Sequence, residues 1–254
     1  MNCFDFFGRV LLTLRVRTGF LTANNVSARV KSILTRSVRS TLQAVVFGGI
    51  LTSPLPAAEP IRLTADGGAK SDPAFVAKGE EIVFTSLDLP TLLTLKRLKV
   101  ADKTVERLHP SAATSEYEST HTPDDGFYAF IQSRGNLNMR LVIRETKTGK
   151  ENVFDAGGGF ASVRRPTFHP SGERVAFAIP APTGQEIASV NREGKDRKQL
   201  ASGGINSWPA YSPDGKRLLF SSSRDGDFDL FTANADGTQP KRVLKLPGMP
   251  SHAA

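Results

Sequence analysis

Three histidines, one run of alternating acids and several glycine pairs carry the most evident chemistry in this chain. His109, His121 and His169 could bind zinc only if the fold made them converge, with a carboxylate or an open position completing the shell. Each also has a plainer role: His109 precedes Pro110 in a connecting loop, His121 stands just ahead of a turn, and His169 replaces a serine within a recurring turn. Asp225-Gly226-Asp227-Phe228-Asp229 offers oxygens of the kind calcium takes, but without EF-hand spacing or its terminal glutamate. Gly67-Gly68, Gly157-Gly158-Gly159 and Gly203-Gly204 could cradle a phosphate, yet they recur at one place in a repeat and read as connectors. No Gly-x-Ser-x-Gly elbow is present, and no spacing pairs two carboxylates. The expectation is no catalytic residue, no metal and no cofactor.

The elements that position these residues repeat. Arg165-Pro166-Thr167-Phe168-His169-Pro170-Ser171-Gly172 leads to Val175-Ala176-Phe177, and Trp208-Pro209-Ala210-Tyr211-Ser212-Pro213-Asp214-Gly215 leads to Leu218-Leu219-Phe220, 43 residues later. Two weaker copies centre on Phe84 and Phe130, giving phenylalanine intervals of 46, 47 and 43. Within the last copy, short alternating runs are separated by Pro213-Asp214-Gly215, Arg224-Asp225-Gly226 and Asn234-Ala235-Asp236-Gly237. Such turns fix φ with proline, bond the backbone with aspartate and supply φ > 0 with glycine. The pattern predicts a four-stranded antiparallel meander, and a period of this length predicts propeller blades. The second copy, Thr122-Pro123-Asp124-Asp125-Gly126, has its glycine displaced by one residue, which predicts a wider turn.

One register position stands apart. Just before the proline position of the innermost strand the four repeats carry Asp72, Glu118, Arg165 and Trp208. Structural prolines and aromatics agree between copies, whereas these four differ in charge and type. In a propeller they lie at the mouth of the central funnel. A tryptophan beside an arginine is a favoured pair at binding hot spots, so the four are candidate partner-binding residues; the plain alternative is solvent-facing loop residues.

The run Ser212-Pro213-Asp214-Gly215-Lys216, with Phe220-Ser221-Ser222-Ser223-Arg224-Asp225-Gly226, Leu230-Phe231, Asn234-Ala235-Asp236-Gly237 and Arg242-Val243-Leu244, resembles the WD40-like (PD40) repeat of the TolB family. The resemblance implies an all-β chain folded as a β-propeller, and the four copies counted in the sequence predict about four four-stranded blades (71–110, 111–159, 160–204 and 205–248) within a domain of 59–254. Such propellers are commonly six-bladed, and they occur in bacterial extracytoplasmic proteins and beside some peptidases. Ile61-Arg62-Leu63-Thr64 resembles one more outer strand. Three outcomes are open: a compact closed ring, an open arc that pairs with another copy, or a fragment of a longer ancestral gene.

Residues 1–58 differ in kind. The chain's net charge is +8, and seven basic residues against Asp5 give the first forty residues +6 of it. The repeats are thus near neutral, and nucleic-acid binding is not expected. The basic stretch, the apolar run Leu42–Leu51 and Pro54-Leu55-Pro56-Ala57-Ala58 predict a secretory signal peptide cleaved after Ala57 or Ala58, too short in its apolar part to be a permanent span. The basic leader is long for this role, which a true start near Val30 would explain. Cys3, the only cysteine, lies inside it, so the mature protein has no disulfide. Together these features predict a periplasmic or secreted, non-enzymatic module that binds a protein or a cell-envelope component. The alternative is a propeller enzyme or accessory domain of the peptidase or polyuronate lyase type.

Overall fold

A computed structural model describes residues 59–135, 138–157 and 162–245. The chain divides into two units, 1–58 and 59–254. The expected leader and signal peptide fall in the first, outside the described residues.

The second unit is built of β-strands. Blade 1 comprises β1 (Lys70–Val76), β2 (Glu81–Leu89), β3 (Leu92–Lys99) and β4 (Val105–Arg107). Blade 2 comprises β5 (Glu116–His121), β6 (Phe127–Ser133), β7 (Met139–Glu145) and β8 (Glu151–Phe154). Blade 3 comprises β9 (Arg164–Phe168), β10 (Arg174–Ala181), β11 (Gly184–Asn191) and β12 (Lys198–Ala201). Blade 4 comprises β13 (Gly204–Tyr211), β14 (Arg217–Asp225), β15 (Asp227–Asn234) and β16 (Lys241–Leu244). Within each blade neighbouring strands pair antiparallel in sequence order.

Alternation along each strand sends one set of side chains to each neighbouring blade. The anchor phenylalanines occupy equivalent positions and are all buried, Phe84 at 4% exposed, Phe130 and Phe177 at 0% and Phe220 at 1%. Phe130 packs with Leu95 of blade 1. Phe177 packs with Ile131, Leu141 and Ile143 of blade 2. Phe220 packs with Ala176, Ile187 and Leu200 of blade 3. Burying each such ring contributes about 2–3 kcal/mol, so the periodic phenylalanine holds each blade to the one before it.

The β1–β2-type turns are more alike than the sequence suggests. Gly172 and Gly215 adopt φ of 72° and 70°, and Asp125 takes the same left-handed position at φ 55°. Asp125 N bonds Thr122 O at 2.9 Å, as Gly215 N bonds Ser212 O at 2.9 Å. The turn after β5 is therefore no wider than the others. Asp125 is stabilised there because its carboxylate accepts from Ala77 N of blade 1 at 2.8 Å.

The blades join through backbone as well as side chains. Gly184 and Gly204 pair in a short parallel bridge that links β11 to β13. A Cβ on Gly184, whose φ is +128°, would stand 2.5 Å from Gly204 O. Only glycine allows this approach, so Gly204 begins a strand rather than serving as slack between blades.

Inner strands pack in the order β1, β5, β9 and β13, with no comparable packing of β13 against β1. Among the described residues no strand of blade 4 pairs with blade 1. Among the described residues the four blades thus form an arc without closing contact between blades 4 and 1. Ile61–Thr64 forms no strand; Lys103 Nζ donates to Arg62 O at 3.2 Å from blade 1, whose outer place β4 already fills.

Candidate binding site at the funnel mouth

Each inner strand carries a β-bulge at the same point. Opposite Phe84 stand Asp72 and Pro73, opposite Phe130 stand Glu118 and Ser119, opposite Phe177 stand Arg165 and Pro166, and opposite Phe220 stand Trp208 and Pro209. A bulge inserts one extra residue and bends its strand. Proline suits the second bulge place in three blades because it brings no N–H to be paired. The first place is left-handed: φ is 52° at Asp72, 53° at Glu118, 54° at Arg165 and 52° at Trp208. Glycine is the usual residue for that conformation, yet none of the four is glycine.

The bend turns these side chains toward the axis of the arc. A cavity of about 300 Å³ is lined by Asp72, Glu118, Ser119, Arg165, Pro166, Thr167, Trp208, Pro209 and Ala210. All four residues nominated from the sequence are therefore brought together. Arg165 is the hub. Its Nη1 donates to Asp72 Oδ1 at 2.7 Å, two blades away, and its guanidinium lies 5.6 Å from the Trp208 ring centroid. Its backbone N–H donates to Glu118 Oε2 at 2.6 Å.

Glu118, 5% exposed, is held tightly. Its Oε1 accepts from Arg164 Nη2 at 2.6 Å and Nε at 3.0 Å, and its own N–H donates to Thr85 Oγ1 of blade 1 at 3.1 Å. Burial is the largest influence on Arg164 and opposes its charge, but the hydrogen bond to Glu118 and the negative charge of Glu118 and its neighbours together outweigh it and raise that guanidinium's pKa. Arg164 also lies over the Tyr117 ring at 5.5 Å, and burial pushes the Tyr117 phenol up to about 12. Two carboxylates and two arginines balance, so the cavity floor is polar but neutral. Trp208, 47% exposed, gives it an aromatic wall. The buried hydroxyl of Ser119 has no hydrogen-bond partner among the described residues.

The sequence pointed to Arg165 but passed over Arg164 and Ser119. The adjacent Arg164-Arg165 pair was the available signal: alternation alone turns one arginine into the funnel and the other along the strand toward Glu118.

The three histidines sit in the loop and turn places that the repeat gives them, and they do not converge. His109 and His121 both meet Tyr128, with ring centroids 5.8 and 5.5 Å from it. His109 contacts Glu116 through Nδ1 at 2.5 Å and the Tyr128 hydroxyl through Nε2 at 2.7 Å, in a buried chain between blades 1 and 2. Burial drives the pKa of His121 down to about 4, against the nearby Asp125, and its Nε2 has no partner. His169 is a turn residue: Ser171 N donates to its Nδ1 at 3.1 Å, so its Nε2–H donates to Gly215 O at 2.9 Å, tying two blades' turns together. The acidic run does not gather around an ion position; Arg242 bonds Asp225 and lies 3.3 Å from Asp229. Among the described residues no three His, Cys, Asp or Glu side chains converge as a metal-binding group.

No family model matches the chain. Over 200 residues it is 32% identical to the Tol-Pal system protein TolB of Myxococcus xanthus, a match spanning 71% of this chain and 45% of that protein. The chain thus spans less than half the length of this relative. Its fold superposes on a TolB-type structure from Agrobacterium tumefaciens with a TM-score of 0.62 at 20% identity, covering 72% of this chain and 65% of the other. An oligogalacturonate lyase structure in complex with manganese superposes with a TM-score of 0.57 at 15% identity, covering 73% and 56%. At that identity the likeness is one of fold. Four-stranded blades, their order around an axis and the sequence likeness across most of the repeats make this chain a TolB-like β-propeller protein.

Proposed function

We propose that this protein is an extracytoplasmic, non-enzymatic binding module that receives a protein or cell-envelope component at the funnel mouth. The observation that carries the reading is the ring of Asp72, Glu118, Arg165 and Trp208. Four unlike side chains occupy four equivalent left-handed positions and line one cavity. Backbone strain of this kind persists where surrounding structure imposes it, and it clusters at ligand sites. Packing alone would be served better by glycine.

The chemistry favours binding over turnover. Both carboxylates are engaged by arginines, Asp72 by Arg165 and Glu118 by Arg164, so neither is poised as a free acid or base. An exposed tryptophan backed by a fixed guanidinium offers a rigid amphipathic surface of the kind that anchors protein interfaces. The likeness to a Tol-Pal system protein supports an envelope setting. The basic leader with its apolar run supports export.

Capture from an envelope extract tests the proposal. The full chain retains a partner, and Trp208→Ala combined with Arg165→Ala abolishes retention while leaving the far-UV circular dichroism unchanged. Equal retention by the double variant overturns the reading.

A further inference from the structure

The charges at the funnel mouth already satisfy one another, and this decides which chemistry can enter. Asp72 Oδ1 accepts from Arg165 Nη1 at 2.7 Å, and its Oδ2 accepts from Ser71 Oγ at 2.7 Å. Glu118 is held by Arg164 Nη2 at 2.6 Å and by the Arg165 N–H at 2.6 Å. An anionic ligand meets Asp72 and Glu118, and a cationic ligand meets Arg165, so either must disturb a pair that is already made. A purely apolar side chain fits no better. Covering the Asp72–Arg165 pair with it strips away water without replacing the lost hydrogen bonds. The chemistry left is an uncharged group rich in hydrogen bonds.

We infer that the funnel mouth recognises an uncharged saccharide on the envelope component proposed above, an inference that rests on that reading of the site. A hydroxyl both donates and accepts. Neighbouring hydroxyls of a sugar ring can therefore donate to Asp72 and accept from Arg165 while those two stay paired. The Asp72 bond occupies only one N–H of a guanidinium whose side chain is 35% exposed, so donors remain for a ligand. The apolar C–H face of the ring packs on the exposed part of the Trp208 indole. Arg165 lies 5.6 Å from that indole, so the polar pair and the aromatic surface stand side by side, as a hydroxyl edge beside an apolar face requires. Pro166, Pro209 and Ala210 complete the lining with short, rigid side chains. The cavity, about 300 Å³, stands at the lower end of small-molecule sites and suits sugar rings better than a folded surface.

Trp208 fluorescence of the full chain, titrated with N,N′-diacetylchitobiose, maltose and lactose, tests this, with digalacturonate as the charged probe. At least one neutral disaccharide should give a saturable shift to shorter wavelength, and digalacturonate should bind at least about 10-fold more weakly. Asp72→Asn exchanges a charged acceptor for a neutral one. It is expected to weaken that disaccharide by about 10-fold, read on the same tryptophan at an unaltered melting temperature. In isothermal titration calorimetry Trp208→Ala gives no saturable heat, whereas Trp208→Phe retains binding. No saturable response to any neutral disaccharide up to about 50 mM overturns the inference. So does digalacturonate binding as tightly as they do, or an Asp72→Asn variant that binds unchanged. If the partner captured from an envelope extract then still covers Trp208, only the saccharide chemistry falls and the funnel mouth remains the binding surface. If that partner leaves Trp208 untouched as well, the proposed function falls with it.

Discussion

Replacing Trp208 with glycine should leave a more stable protein than replacing it with alanine. The left-handed conformation at this site, φ 52°, costs a residue bearing a Cβ about 1–2 kcal/mol. Alanine pays that cost and glycine does not. Glycine instead loses about 0.5–1 kcal/mol through the greater freedom of its unfolded chain. The difference favours glycine by about 0.5–1 kcal/mol. At an ordinary strand position such as Thr232 the order is reversed, with alanine ahead by about 0.5–1 kcal/mol. Both Trp208 variants lose the same contact with Arg165, so their comparison isolates the backbone. Urea unfolding of Trp208→Gly, Trp208→Ala, Thr232→Gly and Thr232→Ala reads the two opposite orders directly. If alanine equals or exceeds glycine at 208, the ring of strained positions is not what holds these side chains at the mouth.

Three other substitutions probe separate parts of the account. Glu118→Ala strips acceptors from Arg164 and from the Arg165 N–H; urea unfolding should show a loss of about 2–3 kcal/mol, at the low end for a broken buried pair because the Arg164 side chain is 42% exposed. His121 titrates near 4 when folded and near 6.5 when unfolded, so the unfolded chain binds more protons between those values. Its contribution is present above pH 6.5 and lost as pH falls toward about 4, by up to about 3 kcal/mol, and His121→Phe should flatten that slope in urea titrations. Gly184→Ala forces a Cβ to within 2.5 Å of Gly204 O and should lower stability by at least about 2 kcal/mol, seen as a reduced melting temperature.

Much of the fold was legible because its determinants are local. Phe84, Phe130, Phe177 and Phe220 and their proline–glycine turns gave the blade count and strand order. The funnel-mouth set was also legible, but only by register: Asp72, Glu118, Arg165 and Trp208 share no residue type, and nothing in them announces a positive φ, which a glycine would have signalled. The same blindness misread the turn at Asp125, where a carboxylate bond to Ala77 N takes over what glycine does elsewhere. The chain from Glu116 through His109 to Tyr128 depends on two blades meeting, which spacing cannot disclose. Ring closure depends on the rotation between successive blades, set by side-chain volumes at each interface rather than by any motif.

Trp208 is the only tryptophan in the chain, so its fluorescence reports the funnel mouth with no competing signal. Adding the partner captured from the envelope extract should shift its emission to shorter wavelength and protect it from acrylamide quenching, as a half-exposed indole becomes covered. Unchanged emission and quenching in a complex that demonstrably forms would mean that the partner binds elsewhere, and that the four in-register residues are not the binding surface.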